Sequence, residues 1–178
     1  MKTLCSLLLT FAAIFFLSGC TVHKDFTFSL DKELDVNNFP STSYTRSDTV
    51  DASKSGSDYA KYKADITAIE VQSATFTVLS STGTPTQKVI SGTVAVTSTD
   101  GVTTKTLATV SDVTLQSVIG VAQPLTLTPD GKQFLQNQLL GSSSSAIVTF
   151  SGTTNEAPIT FAVNLHFNLK ATYSKTLP

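Results

Sequence analysis

Two histidines, His23 and His166, are the side chains best suited to proton transfer or metal ligation near neutral pH in this chain. Zinc needs three or four convergent ligands. No C-x-x-C, H-x-x-x-H or comparable spacing accompanies either histidine, so no metal is expected. Asp48, Asp51 and Asp58 share one Ser-rich stretch and could collect calcium through their oxygens. Their spacing fits no calcium loop, however, and turn or cap roles account for them as well. Glu70, Asp112 and Glu156 stand far apart in the chain, so spacing gives no support to the paired carboxylates of a glycosidase. There is no G-x-S-x-G and no Gly-rich phosphate loop. The many serines read as loop formers until a base is shown beside one. The sequence therefore predicts no catalytic residue and no cofactor.

Binding chemistry has two further candidates. His166 lies between Asn164 and Asn168 on alternate positions, a row that reads either as a polar ligand-binding strip or, more simply, as a solvated sheet surface. Tyr44, Tyr59, Tyr62 and Tyr173, with Phe39, fall outside the clearest core positions. Exposed aromatics can form a platform for sugar or protein, but Tyr59 and Tyr62, three apart on a predicted helix, suit core packing better. His23 has Asp25 as its nearest acidic neighbour and is expected to be mobile.

The element that must position His166 is the best defined in the chain. From Ile159 to Tyr173 every odd residue is apolar and nearly every even one is polar. A period of two is a half-buried strand, because successive side chains point to opposite faces of a sheet. At about 3.3 Å per residue the run spans roughly 50 Å, longer than an ordinary strand, so a bend or bulge is expected.

The chain opens M-K-T-L-C-S-L-L-L-T-F-A-A-I-F-F-L-S-G-C, with Lys2 ahead of a mostly apolar run from Thr3 to Leu17. Such a run is too short for a membrane span, which needs about 20 residues, and suits a signal-peptide core. It ends Leu17-Ser18-Gly19-Cys20, which resembles the lipobox of bacterial lipoprotein precursors. That resemblance covers the first 20 residues only. It implies removal of residues 1–19, diacylglyceryl attachment to the Cys20 thiol and usually acylation of the new amine. It also implies a membrane partner through that lipid. In the proteobacterial sorting rule an aspartate after the lipidated cysteine retains the protein in the inner membrane. Thr21 stands there, so the resemblance implies the outer membrane, with the face left open.

On that reading Cys5 leaves with the signal and Cys20 carries lipid, so no disulfide is available. The mature chain, 19 residues shorter than the full 178, is long enough for one domain with its own core. Loss of Lys2 takes the formal charge from −1 to −2. No basic cluster is present to draw nucleic acid. Residues 20–25 are expected as a short tether and 26–178 as a single β-rich domain.

Within that domain Phe26, Phe28 and Leu30 begin a strand, and Tyr44–Val50 reads as an edge strand. Ser57 suits the N-cap of a short helix reaching Ile66. The apolar phase shifts between Val71 and Ala74, which a bulge near Gln72-Ser73 would reconcile. Asp100-Gly101 predicts a two-residue type I′ hairpin. Further strands are expected at Val113–Ile119, at Leu125–Leu127 and at Ala146–Phe150. Thr128, Pro129 and Gly141 bracket a helix near 129–140. With no βαβ rhythm and no fixed repeat, the fold expected is all-β, an antiparallel β-sandwich, Ig-like in general architecture. A small β-barrel is the alternative. The expected function is non-enzymatic: a lipid-anchored structural or protein-interaction module of the cell envelope. The alternative is a small-ligand or glycan-binding lipoprotein, and an envelope hydrolase has least support.

Overall fold

Alternation decides the architecture, and the last strand shows it most clearly. The computed structural model describes residues 21–176, so the expected signal segment and the Leu17–Cys20 motif lie outside the described residues. Strand β8 (Ile159–Thr176) buries Phe161, Val163, Leu165, Phe167, Leu169 and Ala171, each at most 1 % exposed. Its neighbours in the first sheet are β1 (Thr21–Phe39) and β3 (Ile66–Ser81), both antiparallel. The short β6 (Gln123–Pro124) pairs with the far side of β3. A second sheet, ordered β2-β7-β4-β5, covers the first. It comprises β2 (Ser43–Asp51), β4 (Lys88–Thr97), β5 (Thr104–Thr114) and β7 (Ser145–Thr154). The fold is an antiparallel β-sandwich of two four-stranded sheets and closes no barrel.

Of the bend or bulge expected in this long strand, no bulge interrupts β8 itself. The extra residues sit in the neighbouring strands instead, at Thr67, Gln72 and Leu79 of β3 and between Val36 and Phe39 of β1. The partners bend around an uninterrupted ladder, so β8 keeps its inward phase over its whole length. The insertion at Gln72 reconciles the two apolar phases of β3 where the sequence required it. The insertion at Leu79 explains why that leucine is 41 % exposed.

Helix α1 (Ser57–Tyr62) and helix α2 (Pro129–Leu140) close the sandwich. The α2 boundaries follow their signals: Thr128 accepts from the Gly131 N–H at 3.1 Å, Pro129 takes the first turn and Gly141 follows the last. Leu135 and Leu139 are fully buried, and the helix packs on β3 and β5. Gly131 makes that approach possible, since a Cβ there would lie 2.2 Å from the Thr106 carbonyl oxygen.

Several expectations need correction. Gly56, not Ser57, caps α1, and a 3-10 turn at Lys63–Asp65 replaces its last turn. Asp100-Gly101 is not a two-residue type I′ turn, because only Gly101 has positive φ (76°). The chain reverses through a turn closed by the Gly101 N–H on the Ser98 carbonyl, while Asp100 accepts from the Val102 N–H. Leu115–Val118 forms a 3-10 turn instead of a strand, since its apolar spacing also fits a tight helical turn. Leu125 and Leu127 lie just beyond the two-residue β6. Thr21–Asp25, expected as a tether, is already strand, paired in register from Thr21↔Thr176 onward.

The first sheet outruns the second at one end. Sheet two stops at the Asp51↔Ser145 pair, beside Ser29 and Leu30. The stretch Thr21–Phe28 therefore projects beyond it, about 27 Å at 3.4 Å per residue. There α1 substitutes for the missing sheet. Phe28 meets Tyr59 at 5.3 Å and Phe26 meets Tyr62 at 6.0 Å between ring centroids.

Candidate functional site

The outward face of the first sheet carries both histidines, His23 on β1 and His166 on β8. Because β8 lies between β1 and β3, its even-numbered side chains have neighbours on both flanks. His166 Nδ1 lies 2.8 Å from Asp31 Oδ1, which also accepts from Asn164 Nδ2 at 2.9 Å. On the other side His166 Nε2 lies 3.1 Å from Asn168 Oδ1, and Asn168 Nδ2 donates to Ser73 Oγ at 3.1 Å. A continuous polar chain thus runs Asn164–Asp31–His166–Asn168–Ser73 across three strands. Further along, Asp25 accepts from Lys170 Nζ and Thr172 Oγ1, each at 2.7 Å. His23 Nδ1 lies 2.7 Å from Ser174 Oγ, so His23 is fixed within β1 and not mobile.

Electrostatics follow from these contacts. The hydrogen bond to Asp31 raises the His166 pKa above its ordinary value, against partial burial, with Asn168 adding to the rise. Both ring nitrogens face acceptors, which only the imidazolium can satisfy fully. Partial burial pushes the Asp31 carboxyl up, but the hydrogen bonds from Asn164 and His166 outweigh it and leave the group below the usual range.

A general base needs a nitrogen free to reach a substrate proton or a nucleophile. Both nitrogens of His166 are engaged, and Ser73, the nearest hydroxyl in the chain of contacts, lies beyond Asn168. The array sits on an open sheet, where it ties three strands together and presents a polar surface.

The three loop aspartates do not converge. Asp48, in β2, pairs with Lys32 of β1 at 2.6 Å. Asp51 caps the turn Ala52–Lys54 by accepting from the Ser53 N–H at 2.9 Å. Asp58 lies in the first turn of α1. Among the described residues no three His, Cys, Asp or Glu side chains come together to hold a metal.

The isolated carboxylates are equally dispersed. Glu70 faces Lys170 across the ladder, and Asp112 lies 3.7 Å from Lys88. Glu156 accepts from Thr84 and Thr86, so it staples two loops.

The tyrosines form no exposed platform. Tyr44, Tyr59 and Tyr173 are 3 %, 2 % and 8 % exposed, and Tyr62 stacks on Tyr173 at 4.0 Å. Phe39 falls among residues whose side chains are not described. The sequence concealed the partners instead. Asp31 lies 135 residues from His166, and no local signal announces that pairing.

Lys32, Arg46 and, in a role unlike the calcium ligation considered for it, Asp48 form a further charged group. They occupy inward-phase positions of β1 and β2, the strands bordering the open side of the sandwich. Lys32 reaches Asp48, and Arg46 Nε donates to the Asp35 carbonyl at 2.7 Å. Charges turned inward at sheet edges discourage further strand pairing. Their break in the apolar alternation was the visible signal.

No family model and no curated protein sequence matches the chain. Among solved structures it resembles the decameric BFDV capsid protein at 12% identity and a TM-score of 0.42, covering 84% of this chain and 99% of that one. It also resembles the semi-empty particle of Macrobrachium rosenbergii nodavirus, at 10% identity and a TM-score of 0.37, over 91% of this chain and 99% of that one. For Turnip yellow mosaic virus the values are 12% and 0.34, over 90% and 98%. Similarity at this level adds nothing to what the strands themselves establish.

Proposed function

We propose that this chain is a lipid-anchored protein of the bacterial cell envelope whose β-sandwich acts non-enzymatically, as a structural or protein-interaction module. The observation that carries the reading is the apolar segment ending Leu17-Ser18-Gly19-Cys20, directly followed by a strand that begins at Thr21. An anchor joined to the fold without a linker suits a module held close to the bilayer. Thr21 after the cysteine favours the outer membrane. The non-enzymatic part is supported by the engagement of His166 on both nitrogens and by the dispersal of the carboxylates.

Intact mass of the detergent-extracted native protein tests the anchor. The expected mass begins at Cys20 and carries acyl chains, and protease shaving of whole cells then reports the membrane face. Cys20→Ala is expected to give an uncleaved or unlipidated protein. Normal processing and membrane retention of that variant would overturn the reading. Saturable capture of one envelope protein by the native, anchored form would support the interaction role, and failure to bind any would count against it.

A further inference from the structure

The projecting end of the first sheet changes character at its tip. Inward positions are apolar from Phe26 to Leu30 along β1 and from Tyr173 back to Phe161 along β8. Beyond the aromatic cluster the same phase carries Lys24, opposite Tyr173, and Lys175, opposite Val22. Lys61 of α1 closes the third side, its Nζ 4.8 Å from the Tyr62 ring centroid. Val22, Lys24, Lys61, Tyr62, Tyr173 and Lys175 enclose a pocket of about 350 Å³.

No carboxylate lines that pocket, and none of its three lysines forms an ion pair among the described residues. The nearby acids are accounted for: Asp25 points to the opposite face and is held by Lys170 and Thr172. Asp58 acts on Lys61 only as a minor influence, behind the contact with Tyr62. Three ammonium groups with no ion-paired carboxylate, set around two stacked phenols, make a site for a phosphate, with rings amphipathic enough to lie at a membrane interface.

Position in the chain selects the source of that phosphate. Val22 and Lys24 lie two and four residues after Cys20, within about 15 Å of it along an extended strand. From these observations the geometry points to the Lys24–Lys61–Lys175 pocket as a binding site for the phosphate of an anionic glycerophospholipid headgroup in the membrane that holds the anchor. This inference rests on the lipid-anchor reading. Occupancy would fix the orientation of the sandwich, since a lipid on Cys20 restrains one point and a headgroup in the pocket adds a second.

Lysine acetylation on the full lipidated protein tests it. The protein is reconstituted in phosphatidylcholine vesicles, with or without phosphatidylglycerol, and reaction at each lysine is followed by mass spectrometry. Lys24, Lys61 and Lys175 are expected to react about fivefold more slowly when phosphatidylglycerol is present, the factor an anionic surface confers on one nearby lysine. Lys88, at the opposite end of the sandwich, should be unaffected, and high salt should abolish the protection. Equal reactivity of the three lysines in both vesicles would overturn the proposal. Protection by inorganic phosphate in detergent, matching that in vesicles, would overturn the lipid source and leave a free-phosphate site. Intact mass of the same sample separates the two ideas. Absence of acyl chains would mean the anchor reading failed, whereas an acylated protein without protection would mean the pocket alone had failed.

Discussion

Individual residues are most informative where the fold gives them incomplete or conditional partners. His166 and Asp31 stabilise each other through opposite shifts, and the signs set a pH window. The raised His166 pKa contributes stability that is complete below its unfolded value near 6.5 and is lost as pH rises through the raised value. The lowered Asp31 pKa contributes stability that is complete above about 3.9 and is lost as pH falls through the lowered value. The two overlap around pH 5–6. His166→Gln should therefore cost most there, less than about 1 kcal/mol given the exposure of both side chains. In urea titrations the deficit should shrink as pH rises through the raised His166 value and as it falls through the lowered Asp31 value; a deficit independent of pH would contradict the pairing. Tyr44 presents the reverse case. Its ring packs on Phe150 and Phe161, while its buried hydroxyl has no hydrogen-bond partner among the described residues, and burial pushes the phenol well above its ordinary pKa. Tyr44→Phe removes an unsatisfied polar group and should leave the stability measured in urea unchanged or raise it by up to about 1 kcal/mol. A clear loss would reveal a partner for that hydroxyl. Neither residue's role was legible beforehand. Period two placed His166 on the polar face, but Asp31 comes to it only through the pairing of the first and last strands.

Secondary-structure elements were legible to the extent that they carry their own signals. The β8 alternation, the shift of phase in β3 and the Thr128-Pro129…Gly141 bracket of α2 are properties of a few neighbouring residues, and each reappears in place. Elements whose form depends on distant packing were misread. Leu115–Val118 curls into a 3-10 turn, its first N–H bonded to the Gln87 carbonyl, a tie invisible in the local pattern. Gly131 belongs with these. In sequence it is a glycine inside a helix, a position that costs roughly 1 kcal/mol relative to alanine. In the fold it lets α2 touch the backbone of β5. Gly131→Ala should accordingly destabilise despite its better helix propensity, by about 1–3 kcal/mol, because backbone atoms 2.2 Å away cannot rotate aside. Equal or greater resistance to urea would mean that α2 can shift off β5 without loss. Val163→Asp tests the β8 face itself: at 1 % exposure a charge there should prevent cooperative folding, and an unchanged melting temperature would refute the burial phase.

For the whole molecule, the pairing of the first and last strands sets the order of assembly. β1 and β3 reach each other only through β8, so the first sheet cannot form until the final strand is available. Topologies dominated by such long-range pairings fold in milliseconds to seconds. Refolding by dilution from urea should therefore be slower than about a millisecond, and a chain ending before Ile159 should not fold cooperatively. A submillisecond phase that regains full structure would contradict this order. The sandwich class was legible because alternation and turn residues recur throughout. Its strand order was not, since alternation specifies a face and never a neighbour. That order also bears on how the protein would carry load. Under the proposed anchor, a pull entering at Thr21 and resisted at the far end of the sandwich acts along the axis of β1, and the ladder from Thr21↔Thr176 to Val36↔Phe161 lies parallel to it. Its hydrogen bonds would be sheared together and not unzipped one after another, so β1 would serve such an anchor as a mechanically stiff mooring.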